Sequence, residues 1–351
     1  MDFSFGEEQE MLRDSARRFL TEAFPTERIG DGEGGDARWR EVAGLGWTSL
    51  SIPEEDGGAG MSFLEEAILF EETGRALYPG PYLSTVGLAL PALRGGSLAR
   101  VVAGEVAAAL ASTDASAGVT TAEETGSGWT LSGRKTLVPH LPAADLVVVV
   151  AKTPQGPALF EATGGEHSTL PTLDVTRPVG TVAFERTPAD LLVPPAEAEE
   201  VLRRIRRRAL AALALEAVGV AEAVLDMTRA YASERHQFGK PIGVYQAVSH
   251  SIADMYRDVE LARSLAYFAA WCVAEDDDRA EVAVPAAKAF AGEAAVDACE
   301  RAIQVHGGIG FTWEHALHRY LKRAQWIEAF DAHPPELRRE VAAYLLDDRS
   351  A

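Results

Sequence analysis

Short runs of β-branched residues are confined to the middle of this chain, and that restriction limits its fold more than any other feature. Between about Gly118 and Leu192 lie GWTLSGRKTLV, ADLVVVVAK, PALFEA and VGTVAFE, each bounded by Gly, Pro or Asp, as strands usually are. The run Val147–Val150 is too short for a helix and predicts a strand buried on both faces. These runs predict a small β-domain, either a barrel or a sandwich.

The segments on both sides of the β-rich region carry apolar residues at steps of three and four, which is the spacing of helices. The predicted helices cover about residues 7–24, 39–45 and 63–75 before the β-domain, and 197–233, 246–275, 284–305 and 335–346 after it. A Gly- and Asp-rich break at 30–36 ends the first helix. Alanines recurring between Ala287 and Ala302 predict closely packed helices, as in a bundle core.

The fold class predicted from this order is α+β, and 351 residues are enough for three domains. We predict an N-terminal helical domain at 1–112, a central β-domain at 113–195 and a C-terminal helical bundle at 196–351.

Charge and cysteine content exclude several classes of function. With 33 basic and 53 acidic side chains, the net charge of −20 disfavours binding to nucleic acid or to an anionic membrane. The start MDFSFGEEQE has no basic and apolar signal segment, and no apolar run approaches the ~20 residues that span a bilayer, so a cytoplasmic location is predicted. Cys272 and Cys299 lack metal-site spacing and are predicted to be buried thiols. No metal site is expected.

Three segments carry more specific motifs. Residues 234–255, ERHQFGKPIGVYQAVSHSIADM, contain Arg-x-x-Phe-Gly, an aromatic–Gln pair and Ala-Asp-Met. Residues 304–325, QVHGGIGFTWEHALHRYLKRAQ, contain Gln-x-x-Gly-Gly-x-Gly-aromatic-Thr, and SIPEEDGGAG precedes a Glu-Glu helix near the N-terminus. In this order the segments resemble the acyl-CoA dehydrogenase family, whose domains are helical, β and helical. The resemblance covers nearly the whole chain and implies FAD as cofactor and an acyl-CoA as substrate.

The resemblance also implies residues for one half of a flavin site. Arg235, Gln237 and Phe238 would contact the pyrophosphate of FAD, and Gln304, Gly307 and Gly308 its adenosine end. A guanidinium can pair bidentately with phosphate oxygens, and glycine lets backbone approach a ligand closely. In the family these groups reach a flavin held mainly by a neighbouring subunit. The alternatives are a surface salt bridge for the arginine and a helix-ending turn for the glycines.

The other half of the site departs from the family pattern. The stretch ASTDASAGVT at 111–120 lacks the Glu and the Gly-Ser-Asp of the family's Thr-Glu-x-x-x-Gly-Ser-Asp. Leu137 stands where the family has Trp, and Pro139 stands where a hydroxyl residue contacts the flavin. Proline has neither a hydroxyl nor an N–H to offer. The contacts to the isoalloxazine are therefore predicted to be missing.

The catalytic base is also altered. Asp331 occupies the usual Glu position, one methylene short of the substrate proton, and an inactive role is the preferred interpretation. Ala209 occupies the position that a minority of the family uses for its Glu, and Glu216 further on is predicted to have a helix-surface or interface role. The basic run 203–208 predicts a solvated helix end, a seat for CoA phosphates or a contact with an acidic partner.

One half-site is intact and the other is missing, which predicts a hetero-oligomer. The chain resembles the short subunits of heteromeric steroid side-chain acyl-CoA dehydrogenases, which implies an α2β2 complex with a related subunit. That partner would supply the isoalloxazine pocket and the base. Two other hypotheses remain: a homo-oligomeric dehydrogenase that uses Asp331, and a catalytically silent binding or scaffold subunit.

Overall fold

A computed structural model of the protein describes residues 5–26, 38–126 and 128–346; the predicted break at 30–36 lies outside them. The helices are α1 Glu7–Ala23, α2 Trp39–Gly44, α3 Phe63–Arg75, α4 Gly95–Val102, α5 Pro195–Glu234, α6 Gln246–Ala274, α7 Ala280–His306, α8 Leu317–Ala329 and α9 Pro334–Leu346. The strands are β1 Ala108–Ala111, β2 Thr121–Thr125, β3 Gly128–Pro139, β4 Leu146–Thr153, β5 Gly156–Ala162, β6 Glu166–Leu170, β7 Val179–Val193, β8 His236–Gln237 and β9 Lys240–Pro241. This order confirms the predicted fold class.

The described chain forms two compact units. One contains α1, α3 and the chain from Leu210 onward, and the other contains α2 and the chain from Pro79 to Ala209. The three domains predicted at 1–112, 113–195 and 196–351 remain a prediction.

In the helical unit, α3 begins at Phe63 because Ser62 caps it. The Leu64 N–H donates to the Ser62 hydroxyl at 3.0 Å, and the Glu65 carboxylate accepts the Ser62 N–H at 3.0 Å. This reciprocal pair is a capping box, which satisfies two backbone donors that the helix cannot satisfy itself.

Close helix packing in this unit depends on glycine. A Cβ at Gly219 of α5 would lie 1.9 Å from the Glu71 carbonyl oxygen of α3, and one at Gly74 of α3 would lie 2.2 Å from the Glu216 carbonyl oxygen. The two helices therefore touch backbone to backbone. The predicted alanine stripe of α7 is buried from Ala287 to Ala302, which confirms its core position.

A buried ionic network joins α1, α3 and α6 of the same unit. Arg17 donates to Glu72 at 2.6 Å, while Glu71 accepts from Arg263 at 3.0 Å and from the Tyr267 hydroxyl at 2.7 Å. Burial raises the pKa of Glu71, although Arg263 and Tyr267 act in the opposite direction. Each carboxylate is thus fixed by a donor from another helix.

The other unit contains a β-barrel, one of the two predicted alternatives. Its strands pair in the order β1-β4-β2-β3-β7-β5, β6 adds to β7, and β5 pairs again with β4 to close the ring. Leu131, Phe160 and Val182 lie in its core. The run predicted to be buried on both faces is β4, where Val147, Val148 and Val149 are all buried.

Strand β1 is an element that the sequence pattern does not reveal. Its residues, AALA, favour a helix, yet Ala108 to Ala111 pair in parallel with Leu146 to Val149 of β4. The strand forms because β4 offers an unpaired edge, which is a tertiary effect that overrides local propensity.

Candidate cofactor site

A tight hairpin follows α5 and carries the first group of predicted cofactor residues. Strands β8 and β9 pair through Phe238 and Gly239, whose φ angles are 52° and 76°. Two successive positive φ angles define a type I′ turn, which normally takes Asn-Gly or Gly-Gly. Phe238 is therefore strained, and its side chain is 92% exposed. A strained aromatic in solvent indicates a position shaped for contact with something outside this chain.

Backbone contacts hold the hairpin, and its polar side chains remain available. The Ile242 N–H donates to the Arg235 carbonyl at 2.7 Å, and the Tyr245 hydroxyl donates to the Gln237 carbonyl at 3.0 Å. The side chains of Arg235 and Gln237 are exposed. Within the described part of the chain the Arg235 guanidinium makes no ion pair, so the salt-bridge alternative finds no support there.

The second group of predicted residues lies where α7 ends. Gly307 has φ 62° and begins a 3₁₀ turn, Gly307–Phe311, which fits the helix-ending alternative for this residue. Gly308 differs, because its φ is not positive and a Cβ there would meet nothing within 4 Å. The fold does not require glycine at 308, and the space around it leaves the backbone open to close approach by an external group. Gln304 is exposed beside them.

The two groups of residues meet at one end of the helical unit. The ring of Tyr231, near the end of α5, stacks on His306 with centroids 4.3 Å apart, and its hydroxyl donates to the His306 carbonyl at 3.4 Å. Tyr231 lies one turn before Arg235, and His306 directly precedes Gly307. The structure therefore brings together two segments that are distant in sequence.

The barrel unit contains the positions at which the family contacts the isoalloxazine. Leu137 lies at an irregularity of β3, between Lys135 and Val138, with φ 54° and a side chain that is 60% exposed. Pro139 is buried and pairs with Val179. Neither side chain can donate a hydrogen bond or stack as a Trp would, so these positions do not fit an isoalloxazine.

The altered stretch before β2 has a structural role that the sequence did not suggest. The Lys135 ammonium is buried and lies 2.7 Å from Asp114 and 3.0 Å from the Ser112 carbonyl, and the Thr120 N–H donates to Asp114. Burial lowers the pKa of Lys135 even though Asp114 opposes it. Hydrogen bonds from Lys135 and Thr120 hold the pKa of Asp114 below its usual value against the effect of burial. Asp114 thus ties the segment before β2 to β3.

Asp331, the candidate base, lies exposed in the turn between α8 and α9 with φ 66°. Lys288 of α7 fixes this turn: its buried ammonium donates to the Glu328 carbonyl at 2.7 Å and to the Ala332 carbonyl at 2.8 Å. Sequence reasoning missed Lys288, whose signal was a single charge in an alanine-rich helix.

Of the helix-surface or interface role predicted for Glu216, the helix-surface alternative is wrong. Glu216 is buried, and its carboxylate lies 3.5 Å from the guanidinium of Arg323, which is also buried. A carboxylate inside the helical unit requires such a partner because an isolated buried charge is costly. Ala209 is buried as well.

The prediction that the basic run 203–208 is a solvated helix end holds for Arg203 but not for Arg208. Arg203 is exposed and pairs with Glu200. Arg208 donates to the Val86 carbonyl at 3.1 Å and to the Ser51 hydroxyl at 3.2 Å, and Arg204 donates to the Pro91 carbonyl. These arginines tie α5 to the buried π-helical turn Leu83–Ala89 and the residues after it.

The described residues also bear on the state of the cysteines, on metal binding and on membrane-spanning helices. Cys272 and Cys299 are buried, as predicted. Across 5–26, 38–126 and 128–346, no cluster of His, Cys, Asp or Glu is arranged to hold a metal ion. No helix in those ranges has the length and apolar content to cross a membrane.

Comparison with known proteins identifies the class. The acyl-CoA dehydrogenase N-terminal domain matches residues 6–99, and the C-terminal domain of the same enzymes matches residues 206–331. The acyl-CoA dehydrogenase IpdE2 of Mycobacterium tuberculosis is 32% identical over 341 residues, which cover 95% of this chain and 96% of that protein. The chain belongs to the acyl-CoA dehydrogenase family.

Solved structures agree with this assignment. The ChsE4–ChsE5 complex from Mycobacterium tuberculosis contains a chain with TM-score 0.89 and 28% identity, with 100% of both chains covered. A variant of the Tcur3481–Tcur3483 steroid ACAD gives TM-score 0.87 and 30% identity over 99% of this chain and 100% of that chain. Members of the family are typically FAD-binding oxidoreductases. In this chain the exposed Arg235 guanidinium and the open backbone at Gly308 have the chemistry to bind the phosphate and nucleotide part of FAD, whereas the side chains of Leu137 and Pro139 offer no hydrogen bond to its ring.

Proposed function

We propose that this chain is a subunit of an FAD-dependent acyl-CoA dehydrogenase that supplies the adenosine and pyrophosphate half of a flavin site shared with a related partner subunit. One observation carries the proposal: the exposed Arg235–Phe238 hairpin and the open backbone at Gly308 meet through Tyr231 and His306, yet the barrel offers only Leu137 and Pro139.

A hetero-oligomer follows from this asymmetry. If identical chains shared their sites, each flavin would meet one complete and one defective half. A related subunit with an intact barrel pocket resolves the defect, and an α2β2 complex places one chain of each kind at a site. The paired names of ChsE4–ChsE5 and of the Tcur3481–Tcur3483 steroid ACAD support this arrangement. The description of the second as a steroid ACAD supports a steroid side-chain acyl-CoA as substrate. The proposed location is the cytoplasm, as the sequence predicts.

The residues of this chain bind and orient in such a site. Arg235 pairs with pyrophosphate oxygens, Gln237 donates an amide hydrogen beside it, and Phe238 covers the nucleotide from solvent. Gln304, Gly307 and Gly308 present backbone and amide groups to the adenosine. FAD, when bound, accepts a hydride from the acyl β-carbon. Removal of the α-proton falls to the partner, since Asp331 is exposed and shorter than Glu.

The test is the absorbance spectrum of the purified chain alone, compared with the chain co-expressed with its adjacent gene product. We expect little or no flavin absorbance for the chain alone and stoichiometric FAD in the complex. Stoichiometric FAD on the isolated, homogeneous chain would refute the shared site.

A second candidate is a self-sufficient homo-oligomeric dehydrogenase with Asp331 as its base. The observation that favours it is the Lys288 contact, which fixes the turn around residue 331 as a base would require. The third hypothesis, a silent scaffold, predicts that neither this chain nor its complex binds FAD.

A further inference from the structure

Three histidines flank the Gly307–Phe311 turn in sequence, and the proposed function uses only one of them, His306, as a packing contact for Tyr231. His306 ends α7, and its ring centroid lies 4.7 Å from that of His315. The ring of His318, in the first turn of α8, packs edge-to-face with that of Trp313, with the ring centroids 4.6 Å apart. His306 is buried, whereas His315 and His318 are half-buried. A cluster of imidazoles around a predicted nucleotide segment is a candidate for control by protonation.

Hydrogen bonds fix the tautomer of the central pair. The Leu317 N–H, at the first residue of α8, donates to Nδ1 of His315 at 3.3 Å. A ring nitrogen that accepts a hydrogen bond carries no proton, so His315 is neutral with its hydrogen on Nε2. Nδ1 of His306 lies 2.7 Å from the Ala302 carbonyl and must donate, since a carbonyl oxygen only accepts.

Protonation of His315 would break this arrangement. Its Nδ1 would then carry a hydrogen that faces the Leu317 N–H, and the bond that starts α8 would be lost. A cation would also appear at the positive end of the α8 dipole, where charge of that sign is unfavourable. The first turn of α8 would loosen, and so would the packing of His315 on His306, the residue that directly precedes the 3₁₀ turn.

Titratable and charged groups face the pair from α5, α7 and α8. Burial lowers the pKa of His318 most, and Lys322, Arg319 and His315 lower it further. Burial and His315 also lower the pKa of His306, while the hydrogen bond to the Ala302 carbonyl opposes them. The group facing from α5 is the Tyr231 phenol, stacked on His306. Glu314, adjacent in sequence, is exposed.

We infer that His306 and His315 form a protonation-sensitive support for the Gly307–Phe311 turn, so that this half-site holds a nucleotide when both rings are neutral and releases it when His315 is protonated. The part concerning the nucleotide rests on the proposed function; the opening of the turn does not.

The direction of the pH effect follows from linkage. Burial lowers the pKa of His306 and of His315 below their ordinary value of 6.5. The unfolded or opened chain therefore binds protons first as the pH falls. The stabilisation of the turn is complete above pH 6.5 and is lost as the pH falls below it, through the lowered folded-state pKa.

The first measurement is hydrogen exchange of the full-length chain at about pH 7.5 and about pH 5.5, on either side of the ordinary histidine pKa. Protection factors, which correct for intrinsic exchange, are followed at Leu317 and the next amides of α8. We expect protection to fall about fivefold at the lower pH, the loss expected for one neutral hydrogen bond.

Two variants separate the cause. His315→Asn keeps an acceptor for the Leu317 N–H but does not titrate, so its protection should be the same at both pH values. His250→Asn, at an exposed histidine of α6, should behave as the wild type does. Equal protection of the wild-type chain at both pH values, or a pH response in His315→Asn that matches the wild type, overturns the inference.

The second measurement is FAD retention by the co-purified complex over the same pH range. Release at low pH in the wild type, but not in His315→Asn, supports control of the half-site. If the turn opens and FAD stays bound, the control of the cofactor is overturned, whereas the proposed function stands or fails by the flavin content of the chain purified alone. If FAD binds stoichiometrically and the turn does not open, only the present inference fails.

Discussion

Phe238 and Arg235 show what a single position contributes when its side chain is exposed and has no partner among the residues that the structure describes. A non-glycine residue at φ 52° costs about 1–2 kcal/mol, and Phe238 gains no burial in return because it is 92% exposed. Arg235 likewise lies exposed beside it. A ligand or partner subunit that covers both residues would explain the backbone strain at Phe238 and the exposed charge of Arg235.

Arg235→Ala should weaken FAD retention in the complex without unfolding it. A charged hydrogen bond to pyrophosphate contributes about 1.5–3 kcal/mol, which corresponds to a roughly 10- to 150-fold higher FAD dissociation constant. Fluorescence titration of the deflavinated complex measures this constant. The FAD dissociation constant of Arg235→Lys should lie between those of the wild type and the alanine variant, since lysine keeps the charge but loses the bidentate geometry. An unchanged constant for the alanine variant would leave Arg235 with a structural role only.

Phe238→Asn should stabilise the isolated chain while weakening its assembly. Asn-Gly is the preferred pair for a type I′ turn, so the substitution should relieve part of the strain and add about 0.5–1 kcal/mol to the free energy of unfolding. Urea unfolding measures the first effect, and co-purification of the partner measures the second. A loss of stability in this variant would show that the ring packs against the chain after all.

Secondary-structure elements could be predicted from the sequence where their signals are local. Helix α3 begins and ends where the pattern placed it, because Ser62 and Glu65 form its cap. Strand β1 could not be predicted, because AALA becomes a strand only beside β4. The closure of the barrel depends on a second pairing of β4 with β5, which no local pattern specifies.

Gly219→Ala should strongly destabilise the helical unit. The new methyl group would lie 1.9 Å from the Glu71 carbonyl oxygen, so α3 and α5 would have to separate, at a cost of about 3 kcal/mol or more. Thermal unfolding followed by circular dichroism measures the change. Gly292→Ala in α7 is the matched control, because its nearest new contact is an ordinary 3.4 Å to Glu328 and alanine favours a helix. Equal unfolding temperatures for the two variants would contradict the close crossing.

At the scale of the whole molecule, the sequence offers candidate cofactor residues but not the contacts that support the surrounding structure. The candidates stand out because their motifs are continuous segments around Arg235 and Gly307. The supports could not be read, because each pairs residues that are distant in sequence: Lys135 with Asp114, Arg323 with Glu216, and Lys288 with the carbonyls beside Asp331. The only sequence signals of these contacts are single charged residues within apolar runs, and such a residue does not reveal which group it pairs with.

Asp331→Asn in the assembled complex separates the proposed function from the homo-oligomeric alternative. If the partner carries the base, turnover should be nearly unchanged, because residue 331 then touches no reacting atom and the Lys288 contacts to the turn use backbone carbonyls that the substitution keeps. If Asp331 is the base, kcat should fall by about 10²-fold or more, since an amide cannot accept the α-proton.

The rate is measured with an artificial electron acceptor and a steroid side-chain CoA thioester, followed by a straight-chain acyl-CoA. Asp331→Glu completes the comparison: a base that is one methylene too short should gain activity from the longer side chain, whereas a residue outside the reaction should not. We expect both variants to match the wild type, because under the proposed function the partner supplies the isoalloxazine pocket that a base would serve.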